Sequence, residues 1–117
     1  MPHKKHRDQI GRTFLARACA NREIDNARIR LNERPEDIDV ADNAGNTPLQ
    51  IAALEGCEDI VQLLIEGGCD INCKNNDKDT PLIDAVENGH LAVVRLLLDA
   101  GADPRQGNLN GEEPLDL

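Results

Sequence analysis

The stretch that decides the fold is residues 42–74, which read DNAGNTPLQIAALEGCEDIVQLLIEGGCDINCK. The chain then repeats this pattern in residues 75–107 as NNDKDTPLIDAVENGHLAVVRLLLDAGADPRQG. Thr47-Pro48-Leu49 returns 33 residues later as Thr80-Pro81-Leu82, and Pro114-Leu115 follows after the same step. A period of this length is typical of repeat proteins, in which each unit buries its apolar side against its neighbours.

Each unit carries the signals of two helices. Thr47 can cap a first helix, and Gly56 is expected to end it. The apolar spacing that starts near Asp59, and near Ala92 in the next unit, predicts a second helix. The polar residues 70–76 then predict an extended arm that turns into the following unit.

The most regular marks of the repeat are Gly45-Asn46-Thr47-Pro48-Leu49, Ala52-Ala53, Gly56, Ile60-Val61, Leu63-Leu64 and Gly68. A 33-residue unit with these marks resembles the ankyrin repeat. The resemblance implies an all-α repeat solenoid, in which helix-turn-helix units with hairpin arms stack on one another. Residues 1–7 would be a basic, flexible lead, and residues 8–117 would form the array. Its units are expected at 8–41, 42–74 and 75–107, with a partial unit at 108–117. Because that unit stops inside its first helix, we expect the chain to be a segment of a longer protein.

The chain departs from the family pattern at several positions. The histidine that usually ties adjacent units is replaced by Gln50, Ile83 and Asp116. Weaker polar ties between units are therefore expected. Lys78 stands where other turns have glycine, which predicts a strained or reshaped turn because a positive φ favours glycine. The first unit is one residue longer than the others, and we place the extra residue after Leu31.

Composition excludes several classes of function. The chain has 117 residues, 13 Lys and Arg, 22 Asp and Glu, and a net charge of −9, so nucleic acid is not an expected partner. Phe14 is the only aromatic residue, which leaves nothing else to stack on bases. No apolar run approaches the ~20 residues of a membrane-spanning helix. An intracellular protein that binds neither nucleic acid nor membrane is expected.

The candidate chemistry also points away from catalysis. No serine, nucleotide-binding loop or paired metal-ligand motif occurs, so neither an enzyme nor a cofactor nor a metal is expected. The cysteines are expected to be reduced and packed, with redox sensing as the alternative; they are Cys19, Cys57, Cys69 and Cys73. Asn72 resembles the asparagine that asparaginyl hydroxylases modify in ankyrin proteins; the alternative is a purely structural asparagine in the arm.

The resemblance implies that a partner binds the concave face, which is built from the turn tips and the first helices. The corresponding residues are Asn43, Ala44, Asn46, Leu54, Glu55, Asn76, Asp77, Asp79, Asp84, Glu87 and Asn88. Asp77, Asp79, Asp84 and Glu87 are expected to form an acidic strip facing one groove. Residues 42–117 hold 4 basic and 15 acidic residues, a net charge of −11. This charge either selects a partner rich in Lys and Arg or only keeps the array soluble.

These observations predict a non-catalytic protein–protein interaction module, a scaffold within a larger complex. The alternative is a structural spacer or cap inside a larger enzyme, with no partner site of its own. Residues 42–49 and 79–85 look like the ankyrin subunit of fungal SET-domain histone-deacetylase corepressor complexes. That likeness implies nuclear scaffolding in gene repression; without it, a cytoplasmic location is expected.

Overall fold

The computed structural model describes residues 7–108 and 110–114. These residues form three pairs of helices: α1 (Phe14–Ala20) with α2 (Ile24–Glu33), α3 (Pro48–Glu55) with α4 (Glu58–Glu66), and α5 (Pro81–Glu87) with α6 (Leu91–Asp99). A 3-10 helix over Pro35–Asp39 follows α2. The predicted fold class, an all-α repeat solenoid, is confirmed. Residues 1–6 of the predicted basic lead at 1–7 lie outside the described residues, as does Asp116, whereas Arg7 is described and forms a β-bridge with Thr13.

The helices form two layers. Helix α3 packs against α1 on one side and α5 on the other, and α4 packs in the same way against α2 and α6. The first helices of the units therefore form one layer and the second helices form the other. The molecule extends over 43 × 25 × 21 Å, because the units add along one direction.

The first helices begin as the sequence predicts. The hydroxyl groups of Thr13, Thr47 and Thr80 each accept a hydrogen bond from the backbone N–H three residues later. These caps satisfy a donor that a helix start otherwise leaves unpaired. Gly56 ends α3 in the left-handed conformation, with φ of 74°. The second helices start at Glu58 and Leu91, one residue before the predicted positions.

The core is aliphatic and repeats with the units. Leu15, Leu49 and Leu82 occupy equivalent places in the first helices, and all three are buried. The second helices contribute buried pairs in register, namely Ile60 with Val93 and Leu64 with Leu97. Truncating such a leucine to alanine typically costs 2–5 kcal/mol.

The first unit differs from the others at its outer side, which no other described helix covers. Arg30 takes the place that Leu64 has in the second unit, and its guanidinium lies 4.9 Å from the centroid of the Phe14 ring. The Arg17 guanidinium lies 5.8 Å from the same ring. Both distances suit cation–π contact. Charged groups therefore cover the aromatic ring at this end of the stack.

The extra residue of the first unit is accommodated at the end of α2. This helix has ten residues, whereas α4 has nine, and it ends before Arg34 instead of at a glycine. Beyond α2, equivalent residues of successive units are again 33 positions apart. The carboxylate of Asp39 accepts from the N–H of Asp70 at 3.0 Å, as Asn72 Oδ1 does from the N–H of Asp103 at 2.9 Å. This agrees with an insertion after Leu31.

Candidate partner-binding surface

A five-residue turn precedes each pair of helices, and we call these turns tips: residues 8–12, 42–46 and 75–79. A fourth tip starts at Asn108. In every tip the side-chain Oδ1 of the first residue accepts hydrogen bonds from the N–H groups of the third and fifth residues. The fourth residue donates its N–H to the first carbonyl. One Asp or Asn thus fixes each tip.

Lys78 is the fourth residue of its tip, where the other tips have glycine. Its φ is 62°, close to the 82° of Gly45, and its N–H still donates to the Asn75 carbonyl at 2.9 Å. The tip is therefore not reshaped. The predicted strain is present, because Lys78 adopts the left-handed backbone conformation, which is unfavourable for a residue with a β-carbon.

Neighbouring tips are joined by hydrogen bonds. The Asn43 N–H donates to the Ile10 carbonyl at 2.9 Å, and the Asn76 N–H donates to the Ala44 carbonyl at 3.0 Å. The side-chain amides of the two asparagines also donate to the preceding tip, to Gln9 and Asn43. Asn43 and Asn76 therefore join neighbouring tips. Their side-chain amides, which the sequence assigned to partner binding, bond within the protein instead.

The other candidate residues differ in how accessible they are. Ala44, Leu54, Asp77, Glu87 and Asn88 are exposed, as are Asn43 and Asn76. Asn46, Glu55 and Asp79 are half-buried, and Asn46 accepts a hydrogen bond from the side chain of Asn75 at 2.9 Å. Asp84 differs from all of these because only 7% of its surface is exposed. It is therefore not on an open strip, as the sequence suggested.

Asp79, Asp84 and Glu87 form a group that we call the acidic notch. Asp84 lies on α5 in the place that Ile51 occupies on α3, where the isoleucine is buried. Asp79 precedes α5, and its Oδ1 is buried without a hydrogen-bond partner. Within the described residues, none of these three carboxylates accepts a hydrogen bond or forms an ion pair. Such groups are costly to bury unless something compensates them.

The charges of the notch act on the protonation of Asp84 and Glu87. Burial raises the pKa of Asp84 to about 7, and the charges of Asp79 and Glu87 add to this effect. Burial also raises the pKa of Glu87, with contributions from Asp79 and Glu112. Repulsion between carboxylates favours the protonated form of each. Asp84 is therefore about half protonated near neutral pH.

The structure changes the membership of the predicted acidic strip. Asp79, Asp84 and Glu87 come together, whereas Asp77 lies exposed on the tip and contributes to neither raised pKa. Glu112 joins the group at its edge, and the sequence reasoning missed it. The repeat could have found it, because Glu112 follows Asp79 by 33 residues.

A groove that the sequence did not predict lies on the other layer, between α4 and α6. It has a volume of about 440 Å³, and its lining residues are Glu58, Leu91, Ala92, Arg95, Leu96 and Asp99. Leu91 is 78% exposed, the most exposed large apolar side chain among those described. The groove mixes apolar and oppositely charged side chains.

The cysteines are all unpaired thiols. Burial is the main cause that raises the pKa of Cys19 and Cys69 to about 12 and that of Cys73 to about 11. The Cys73 sulfur also lies 3.2 Å from the hydroxyl oxygen of Thr47. Among residues 7–108 and 110–114, no group of three His, Cys, Asp or Glu side chains is arranged to hold a metal ion. In the same ranges, no helix has the length and apolar character that crossing a membrane requires.

Asn72 ties the second unit to the third. Its Oδ1 accepts from the Asp103 N–H, and its Nδ2 donates to the Gly101 carbonyl at 3.4 Å. The same position in the preceding arm is held by Asp39. This bonding is the structural role that the sequence offered as the alternative to modification.

Comparison with known families agrees with this geometry. The family model described as ankyrin repeats (3 copies) matches residues 2–75 and 30–108. The two matches together span most of the chain, so the chain belongs to the ankyrin-repeat family. No curated protein matches it significantly. Ankyrin repeats generally mediate protein–protein interaction, and domains built from them are typically non-catalytic.

Proposed function

We propose that this chain is a non-catalytic interaction module that binds a Lys- or Arg-containing segment of a partner protein. The segment would lie across the tips and the first helices α3 and α5, which we call the tip-helix surface. Arrays of this kind bury each unit only against its neighbours, so one long face remains for a partner.

The observation that carries this proposal is that ion pairs offset the acidic side chains unevenly along the chain. In the first unit, arginines pair with acids: Arg28 with Asp25, Arg30 with Glu33, and Arg34 with Asp37. Residues 42–117 carry a net charge of −11. Among the described carboxylates from Asp42 to Glu112, the one in an ion pair is Asp42, which meets Arg12 of the first tip. A basic partner would relieve this repulsion and would be steered toward the surface.

The test compares two double charge reversals on the 117-residue chain. Asp77→Lys with Glu87→Lys changes exposed positions of the tip-helix surface. Asp59→Lys with Glu66→Lys makes the same change in net charge on α4, in the other layer. Reversal of Asp84 is avoided because a buried lysine there would threaten folding.

Affinity capture from cell extract, quantified by mass spectrometry, gives the readout. We expect proteins that are retained by the wild type and by the α4 variant to be lost from the tip-helix variant. For such a partner, affinity should fall at least tenfold, about 1.4 kcal/mol, and added salt should weaken the wild-type complex. Equal retention by all three forms contradicts the proposed surface. No specific retention by the wild type favours the spacer or cap instead.

We extend the proposal to a nuclear corepressor complex on the strength of the likeness at residues 42–49 and 79–85. The same capture tests it, since deacetylase and SET-domain subunits should then be recovered together with the chain. A fluorescent fusion should also accumulate in the nucleus. Recovery of a complex without these subunits, or exclusion from the nucleus, contradicts the extension and leaves the interaction module standing.

A further inference from the structure

Resting on the function proposed above, we propose that the acidic notch binds one arginine side chain of the partner. The arginine would displace the proton that Asp84 carries in the unbound protein. The notch would thus provide a defined anchor within the tip-helix surface, with a binding strength that depends on pH.

The position of Asp84 is the first support. An apolar side chain fits the equivalent place, as Ile51 shows, so the helix packing does not require a carboxylate there. Asp84 is nonetheless only 7% exposed as a residue, and its carboxylate has no hydrogen-bond partner among the described residues. Beside it, Asp79 offers a buried and unpaired Oδ1. Two unsatisfied acceptors in one place are suited to a donor from outside the chain.

Among residues 7–108 and 110–114, the neighbouring elements supply no cation to these carboxylates. Helix α3 carries one ionisable side chain, Glu55. Helix α6 carries Arg95 and Asp99 and is preceded by His90, whose Nε2 bonds to the Leu54 carbonyl. The charges that act on Asp84 come from Asp79 and Glu87. Glu112 of the fourth tip acts on Glu87 and adds further negative charge. Lys78 is exposed and makes no ion pair in the described structure. The compensating charge must therefore come from a ligand or from bound protons.

Arginine fits this arrangement better than a metal ion does. In the described part of the chain, the carboxylates are not grouped closely enough for coordination. A guanidinium instead presents five N–H donors in a planar fork and can bridge carboxylates that are several ångströms apart. Lysine supplies the charge without the fork, so we expect weaker binding.

Because binding releases a proton, the proposal predicts a measurable pH dependence of affinity. Binding converts a neutral Asp84 carboxylic acid into a carboxylate paired with the guanidinium, and it releases one proton to solvent. Since the pKa of Asp84 lies near 7, the binding-competent fraction is about one in eleven at pH 6 and nearly complete at pH 8. The apparent dissociation constant scales inversely with that fraction. Affinity should therefore rise about tenfold from pH 6 to pH 8.

The experiment uses a synthetic peptide of alternating Gly and Arg with four arginines, and matched peptides with lysine or neutral citrulline. Calorimetric titration at pH 6 and pH 8 measures affinity, and carbon NMR follows the Asp84 carboxyl group. We expect the order Arg, Lys, citrulline, the tenfold rise with pH for the arginine peptide, and a lower Asp84 pKa in its presence.

Three variants make the result specific. Asp84→Asn should lower affinity and remove the pH dependence. Glu87→Gln, which changes an exposed residue and should fold, should lower affinity but retain most of the pH dependence. The tip variant Asp77→Asn should keep the dependence of the wild type. The proposed arginine site is overturned if the citrulline peptide binds as tightly as the arginine peptide, or if the pH dependence survives in Asp84→Asn. If the tip-helix charge reversal still abolishes partner capture, the proposed function stands without it.

Discussion

The side-chain amide of Gln50 donates a hydrogen bond to the backbone carbonyl of Asp79, with an N–O distance of 2.6 Å. Its Oε1 accepts from the N–H of Thr47 at 3.2 Å, so one buried side chain both caps its own helix and holds the next unit. The sequence suggested that losing the usual histidine here would weaken the ties between units. At Gln50 a polar tie between units is present, made by glutamine in place of the histidine.

Replacing Gln50 by leucine should destabilise the fold by about 1–3 kcal/mol, because the Thr47 N–H and the Asp79 carbonyl lose their partner. Urea denaturation followed by circular dichroism measures this. Gln62→Leu is the control, since the amide of Gln62 bonds locally to Glu66 on α4, and it should change stability by less than about 0.5 kcal/mol. Similar losses in both variants would show that the tie between units contributes little.

Lys78→Gly should stabilise the protein by roughly 0.5–1 kcal/mol. The left-handed conformation of Lys78 costs about 1–2 kcal/mol, and the greater freedom of glycine in the unfolded chain offsets roughly half of that. The reverse change, Gly45→Ala, should destabilise, because a β-carbon there would lie 2.8 Å from the Asn76 nitrogen. Denaturation midpoints of the two variants should move in opposite directions. A midpoint for Lys78→Gly at or below the wild-type value contradicts this.

Asp84 should make the fold less stable as pH rises from 5.5 to 7.5. Its pKa is raised from 3.8 to about 7 in the folded state, so its stabilising effect is complete below pH ~4 and is lost as pH rises toward 7. The slope from this one group is at most about 1.4 kcal/mol per pH unit. In Asp84→Asn the dependence should flatten, and the variant should exceed the wild type in stability at pH 7.5. Parallel pH curves would show that Asp84 titrates normally in the fold.

The thiols should react slowly in the folded protein. Because their pKa values are raised, Cys19, Cys69 and Cys73 carry little thiolate at neutral pH. Cys57 is more exposed than Cys19 and Cys69 and should be alkylated first. Timed alkylation with iodoacetamide and peptide mass spectrometry gives the order. Rapid labelling of Cys19 in the absence of denaturant contradicts the packed state.

The sequence predicts local features of this fold well and contacts between units less well. Thr47, Pro48 and Gly56 act within a few residues of themselves, so their roles can be inferred from spacing alone. The burial of Asp84 and the bond from Gln50 depend on what the neighbouring unit places opposite them. Asp84 looked like an exposed helix residue because the repeat pattern gives its position on α5 but not the depth of that position in the stack. Asn43 and Asn76 looked available for the same reason, although their amides join the tips.

The extra residue of α2 shows where this chain accepts a change in length. Thr13 and Thr47 are 34 residues apart, whereas Asp39 and Asn72, and likewise Thr47 and Thr80, are 33 apart. The added length ends before Asp39, and the tips at 42–46 and 75–79 each bond to the tip before them. The segment between Leu31 and Pro35 is therefore a natural place to graft a peptide tag or a cleavable linker, because cargo inserted there would leave the spacing of all later units as it is.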